Sequence, residues 1–169
     1  MPRDRRSFAF IEAQLRKKTF GVLSTISPKG SLQTTGIIYG ISPPETAFRL
    51  YLLTDRSYLK TRNISRNPQV SFLVPYPHHF LPFVPASCIS FPGTAEIAPA
   101  DDPEGREAFS AKRMLRMNLE QVATMEDPVF LKIRPMPRIH CYGVGIGVMT
   151  IARHPAEAAY SLKIPSERL

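Results

Sequence analysis

Tyr51-Leu52-Leu53-Thr54-Asp55-Arg56-Ser57-Tyr58-Leu59-Lys60-Thr61-Arg62-Asn63-Ile64-Ser65-Arg66-Asn67-Pro68-Gln69-Val70-Ser71 is the stretch on which the fold turns. Its first residues complete a run from Ala47 to Thr54 in which Phe48, Leu50 and Leu52 share one face and Arg49, Tyr51 and Leu53 the other. That period of two predicts a strand with core on one side and a partner or ligand on the other. Ser57 to Asn67 then predicts a short helix, stopped by Pro68, which lacks an N–H and restricts the residue before it. Val70, Phe72 and Val74 alternate as the next strand. A strand ending at Thr54 and a helix opening near Ser57 leave unpaired N–H groups and the positive end of a helix dipole facing outward, where phosphate binds readily. Arg56 could add a bidentate contact, Ser57 a hydroxyl and Lys60, one turn on, a second cation. The same residues also describe a capped surface helix with solvated charges.

Upstream, Ser7 can cap a helix over residues 7–18, where Phe8, Ile11 and Leu15 recur at helical spacing and Lys17-Lys18 suit the C-terminal dipole. It is expected to lie across the mouth of a barrel. Phe20–Ser27 and Leu32–Ile41 read as a hairpin around Pro28-Lys29-Gly30-Ser31. Gly36, inside the second strand, points either to a close approach by a ligand or backbone or to a bulge. Downstream, Pro75 to Pro85 carries four prolines and predicts a rigid loop. Its Tyr76, His78, His79, Phe80 and Phe83 would lie over the site. Ile89, Phe91, Ala95 and Ile97 predict a strand with a bulge at Gly93, and Asp101-Asp102-Pro103-Glu104 opens a helix expected over 101–125. Val129–Arg134 and Arg138–Tyr142 complete the count. Six or seven antiparallel strands with few helices must close on themselves, so the fold is expected to be mainly β, a β-barrel with flanking helices.

A chain of 169 residues is the size of one domain, taken here as 1–169. No apolar run approaches the roughly 20 residues of a membrane span, and Met1 to Arg6 lacks the apolar stretch of a signal peptide, so a cytoplasmic protein is expected. Cys88 and Cys141 stand alone without CxxC spacing and read as small core residues. His78, His79, His140 and His154 have no carboxylate or cysteine at ligand spacing, so no metal site is assigned. The net charge of +8 is scattered along the chain without a nucleic-acid motif; a basic nucleic-acid-binding barrel would show a steep salt dependence. No arrangement of Ser-His-Asp or Cys-His type emerges, and no catalytic residue is assigned.

The hairpin with its Pro-Lys-Gly turn, the third strand ending in Thr54, and the run Arg56-Ser57, Lys60, Asn63-Ile64, Asn67-Pro68 and Val70-Ser71 together resemble the pyridoxamine-phosphate-oxidase-like, FMN-binding split-barrel superfamily over about residues 8–98. The resemblance implies a homodimer with FMN at the subunit interface, a flavin-dependent oxidoreductase acting on a small-molecule substrate with an electron donor. It places the flavin phosphate at Arg56, Ser57 and Lys60, and sets Thr35, Gly36 and Ile37 of the second strand, with Leu53 and Thr54 of the third, beside the ring. Members that use a deazaflavin coenzyme or haem make those the alternative cofactors, and a non-catalytic flavin- or haem-binding protein the alternative role. Vitamin-B6 oxidases proper carry a C-terminal tryptophan followed by an arginine, a histidine and a second arginine. This chain has no tryptophan, and only Arg138-Ile139-His140 is similar to that signature before Cys141-Tyr142 replace its ending.

Overall fold

Two strands that form opposite edges of the sheet are separated in the chain by one residue, and this requires the sheet to curl until its edges meet. The computed structural model describes residues 4–78 and 83–169. In it β1 (Phe20–Ile26), β2 (Leu32–Ile38), β3 (Gly40–Ile41), β4 (Leu50–Asp55), β5 (Gln69–Tyr76), β6 (Ser87–Pro99) and β7 (Pro128–Pro135) run in the order β2-β1-β5-β6-β7-β4-β3. Tyr39 alone joins β2 to β3. Its ring packs edge-on against Phe72 at 5.4 Å, inside the curl. β8 (Arg138–Tyr142) pairs with β6 and with β9 (Ala159–Lys163), and every pairing is antiparallel. The fold is a mainly β split barrel. Nine strands appear among the described residues where six or seven were expected, because the run 32–41 breaks at Tyr39 and β9 carries no strong alternation in sequence.

The hairpin β1–β2 forms as its turn residues dictate: Gly30 takes φ +80°, and its N–H donates to the Ser27 carbonyl at 2.9 Å. Inward residues of the strands, including Leu23, Leu50, Leu52, Phe72, Phe91, Leu131 and Ile133, are buried to within 1% and form the main core. The helix α1 (Phe8–Lys17) closes one end of it. Ser7 caps α1 as predicted, Ile11 and Leu15 are fully buried, and the Tyr39 hydroxyl donates to the Leu15 carbonyl at 2.7 Å.

The outward face of β4 is covered by the chain itself. Tyr51 and Phe130 pack beneath α3 (Pro103–Ser110) and α4 (Arg113–Glu120), with Phe109 and Leu115 reaching down from the helices. The Tyr51 hydroxyl donates to Glu104, and Lys132 Nζ lies 3.0 Å from the same carboxylate, fastening α3 to the sheet. The single helix expected over 101–125 is thus two helices and a 3₁₀ turn (Gln121–Thr124). Lys112 is extended at φ −135°, ψ 140°, and its Nζ donates to the Lys18 carbonyl, so the chain turns there and α4 is aimed afresh at the sheet. Gly93 is not a bulge: the β5–β6 register passes through it unshifted, and it ends the β6–β7 ladder opposite Pro135. A Cβ there would lie 2.6 Å from the Arg134 carbonyl oxygen, so the glycine serves a close backbone approach.

Cys141 is buried and Cys88 half-buried. Cys88 stands opposite Tyr142 and Cys141 opposite Ile89, so the two thiols lie on opposite faces. Burial pushes the Cys141 thiol up to about 11. No helix of the described residues is long and apolar enough to cross a membrane.

Candidate functional site

Toward the turn of the β1–β2 hairpin the inward-facing residues change from apolar to polar. Leu23 is core, but Thr25 and Gln33 follow as directly paired residues on the same face. The helix α2 (Leu59–Arg66) crosses over them. Its buried side presents Thr61, Asn63 and Ile64: Ile64 enters the core, and Thr61 Oγ1 donates to the Asp55 carbonyl at 2.9 Å, tying the first turn to the end of β4. Asn63 Nδ2 reaches between the strands, donating to Thr25 Oγ1 at 3.0 Å and to Gln33 Oε1 at 2.6 Å. Beside this network Leu59 and Lys60 overhang β2 and leave a pocket of about 200 Å³, lined also by Thr25, Gln33, Thr34 and Thr35.

Lys60 is the cation of this pocket. Its head lies 4.7 Å from the Tyr58 ring, and burial lowers its pKa from the ordinary lysine value. Among the described residues it makes no ion pair. A second cavity of about 240 Å³, under α1 and α4, carries Arg16, Lys18 and Lys112. Those cations are engaged already: Arg16 with Glu12 and the Ser42 carbonyl, Lys112 with the Lys18 carbonyl, Lys18 against the Tyr76 ring.

The structure brings Thr35 and Lys60 to one pocket and takes Arg56 and Ser57 elsewhere. Arg56 Nε pairs with Asp127 Oδ2 at 2.9 Å on the surface. Ser57 gives both its N–H, at 2.9 Å, and its hydroxyl, at 2.6 Å, to Asp55 Oδ1, while Asp127 N–H donates to the other oxygen. The Ser57 hydroxyl and then the Asp127 N–H hold the Asp55 carboxyl below the usual carboxylate range. The helix therefore opens two residues later than expected, at Leu59, with Tyr58 as N-cap, and Asp55 organises the turn before it.

Thr54 faces the core, with its buried hydroxyl unpartnered among the described residues, whereas Leu53 faces away and packs with the second cluster. The two are adjacent on a strand, so they cannot line the same wall. Ile37 is a core residue. The close approach at Gly36 is made by the chain itself: a Cβ there would lie 2.7 Å from the Phe20 ring.

Of the loop predicted over 75–85, Pro75 and Tyr76 belong to β5, and 79–82, with His79 and Phe80, lie outside the described residues. Tyr76, His78 and Phe83 do not line the pocket; His78 Nε2 lies 3.0 Å from Ser87 Oγ. Gln33, Thr34, Thr25 and Leu59 were not among the residues singled out from sequence, and Asn63 entered only as part of the motif, with no role assigned. The hairpin register could have paired Thr25 with Gln33, since both follow from counting out of the Pro28–Ser31 turn. Asn63 could not have been found that way, because only the crossing of α2 brings it there.

A comparison with curated proteins finds no match. Among solved structures, HutZ, the haem storage protein of Vibrio cholerae, superposes with a TM-score of 0.64 at 15% identity, over 82% of this chain and 96% of that one. An F420 reductase gives 0.51 at 23% identity, over 74% and 92%. A conserved hypothetical protein of Mycobacterium tuberculosis, Rv2991, gives 0.56 at 24%, over 76% and 80%. These likenesses are in fold. The family model for pyridoxamine 5'-phosphate oxidase matches residues 9–137, a span that takes in the barrel from α1 to β7 and every residue of the pocket. On that match the chain belongs to the pyridoxamine 5'-phosphate oxidase family.

Proposed function

We propose that the pocket between β2 and α2 holds the phosphate-bearing end of a flavin, with FMN as the cofactor, and that the protein is a flavin-dependent oxidoreductase. The observation that carries this reading is Lys60: a partly desolvated ammonium without a carboxylate partner among the described residues, facing a wall of hydroxyls and an amide. Such a group is best satisfied by an anion from outside. Gln33 and Thr35, two apart on β2 and so on one face, add polar side chains to the lining, whereas the Thr34 hydroxyl pairs with Ser24 on the other face of the strand. When bound, the flavin would supply the electron-carrying ring, while these residues bind and orient it.

Complete small-molecule sites enclose roughly 300–1,000 Å³. The pocket, at about 200 Å³, suits the phosphate and sugar-alcohol end, with the ring extending beyond it. A second copy of the chain would cover that ring. The residues suited to meeting it are Phe20 and Leu32, 51% and 75% exposed on the outer hairpin face, and Met136, 50% exposed. Haem is less well served here, because the lining offers no imidazole, thiolate or thioether for iron. A deazaflavin coenzyme shares the ring shape and a phosphate, so the two are separated by experiment.

The test is titration of the purified protein with FMN, a deazaflavin coenzyme and haemin, followed by absorbance and fluorescence. Saturable FMN binding, weakened by Lys60→Ala, is expected; no saturable FMN binding would overturn the assignment. Reduction of the bound flavin by NADH or NADPH and its reoxidation by an added acceptor would separate an oxidoreductase from a protein that only holds its cofactor.

A further inference from the structure

Both protons of the Asn63 amide are committed, one to Thr25 Oγ1 and one to Gln33 Oε1, while its Oδ1 is buried without a partner among the described residues. Asn63 itself is 1% exposed. This orientation is chemically preferred over its inverse. Turning both amides over would let Asn63 Oδ1 accept from Thr25 and Gln33, but would bury an NH₂ with two unsatisfied donors in place of one under-used carbonyl, and orphaned N–H groups are the rarer and costlier case. Thr25 adds to the same preference by donating its own proton to the Gln33 carbonyl, at 3.4 Å, so its oxygen is left as an acceptor for Asn63.

We infer that Asn63 is a positioning residue that fixes which end of the Gln33 side chain faces the cofactor. With Oε1 held by Asn63, Gln33 turns its Nε2 donors toward the pocket that Lys60 overhangs. The pocket therefore presents an ammonium from α2 and, facing it from β2, an amide NH₂. That pairing selects a phosphate monoester, which accepts from both, over the corresponding free alcohol, which loses the charge-assisted bond. Gln33 is the phosphoryl-binding residue of this pair, and Asn63 acts only through it. The inference rests on the proposal that a phosphate-bearing flavin occupies the pocket.

The experiment is a double-mutant cycle read as dissociation constants for FMN and for riboflavin, which differ by the phosphate alone. Gln33→Leu and Asn63→Ala are each expected to weaken FMN by about tenfold and riboflavin by less than about twofold. In the double variant the FMN affinity is expected to equal that of Gln33→Leu, because Asn63 has nothing left to orient. Gln33→Glu, which keeps the acceptor for Asn63 and replaces the donor with a carboxylate, is expected to weaken FMN further without unfolding, even should Asn63→Ala prove unstable. Equal losses for FMN and riboflavin, losses that add in the double variant, or an unchanged FMN affinity in Gln33→Glu would overturn the inference while leaving the flavin assignment standing. Wild-type protein that binds neither flavin would overturn both.

Discussion

Two of the places where a carboxylate meets arginine differ sharply in burial. In the middle of α1, Glu12 is held by Arg16 at 2.6 Å and by Arg168 at 2.9 Å, with its side chain only 10% exposed. At the turn before α2, Arg56 meets Asp127 at 2.9 Å with both side chains more than half exposed. The first contact closes the barrel end, joining α1 to residue 168 across the interior; the second decorates a turn. Against this pair of satisfied sites Lys60 is a partly desolvated cation with no carboxylate among the described residues, and, unlike Lys112, whose head is held by the Lys18 carbonyl, it faces an open pocket where a ligand is wanted.

Glu12→Gln is the largest perturbation that this contrast offers. It leaves two arginines around a neutral amide, one of them with Nε already buried and unpartnered among the described residues. Removing one partner of a buried charge cluster costs more than the cluster itself is worth, here about 2–3 kcal/mol given that Arg16 keeps some solvent contact. Denaturant unfolding should show that loss, and it should change little between low and high salt, because a buried contact is poorly screened. A loss below about 0.5 kcal/mol would place Glu12 with the surface pairs.

Lys60→Ala tests the other side of the contrast. With no ion pair among the described residues to lose and only the contact with the Tyr58 ring given up, the fold should be nearly unaffected, whereas FMN affinity should fall about tenfold or more. A variant that loses stability but keeps its affinity would show that the lysine is structural.

Asp55 gives a smaller, pH-dependent effect. Its carboxyl is held below the ordinary value by the Ser57 hydroxyl and the Asp127 N–H. A carboxyl lowered on folding contributes stability that is complete above its unfolded value and lost as pH falls through the folded one. The wild-type unfolding midpoint should therefore decline below about pH 4, and Asp55→Asn should remove that part of the decline while lowering the midpoint at neutral pH. An identical acid slope in the variant would show that the turn does not depend on the carboxylate.

The barrel was legible because its strands alternate strongly and its turns carry Pro, Gly and Asn-Pro where the chain reverses. What escaped was decided by contacts that pattern does not encode. The outward Tyr51 and Leu53 read as a surface for a ligand, since a strand apolar on both faces says only that something covers it; α3 and α4 of the same chain do. The break at Lys112 carries no Gly or Pro and follows from the reach of that side chain to Lys18. Arg56, Ser57 and Lys60 read alike as donors within one helical turn. Asp127, 71 residues away, engages the first, Asp55 the second, and only Lys60 is left facing the pocket.

The last prediction turns on that distinction and is the smallest in size. Arg56→Ala removes an exposed ion pair, worth no more than about 0.5 kcal/mol, and even that should disappear in molar salt. The backbone bond from Arg56 N–H to the Asp127 carbonyl, at 2.9 Å, survives the substitution and keeps the turn in place. Because the guanidinium is directed at Asp127 and not at the pocket, FMN affinity should stay within about twofold of wild type. A loss matching that of Lys60→Ala would mean that Arg56 leaves Asp127 when the phosphate arrives. The expected result is a ligand that calls on one cation and leaves the other paired, so that adding Asp127→Ala, which frees Arg56, should not tighten FMN binding either.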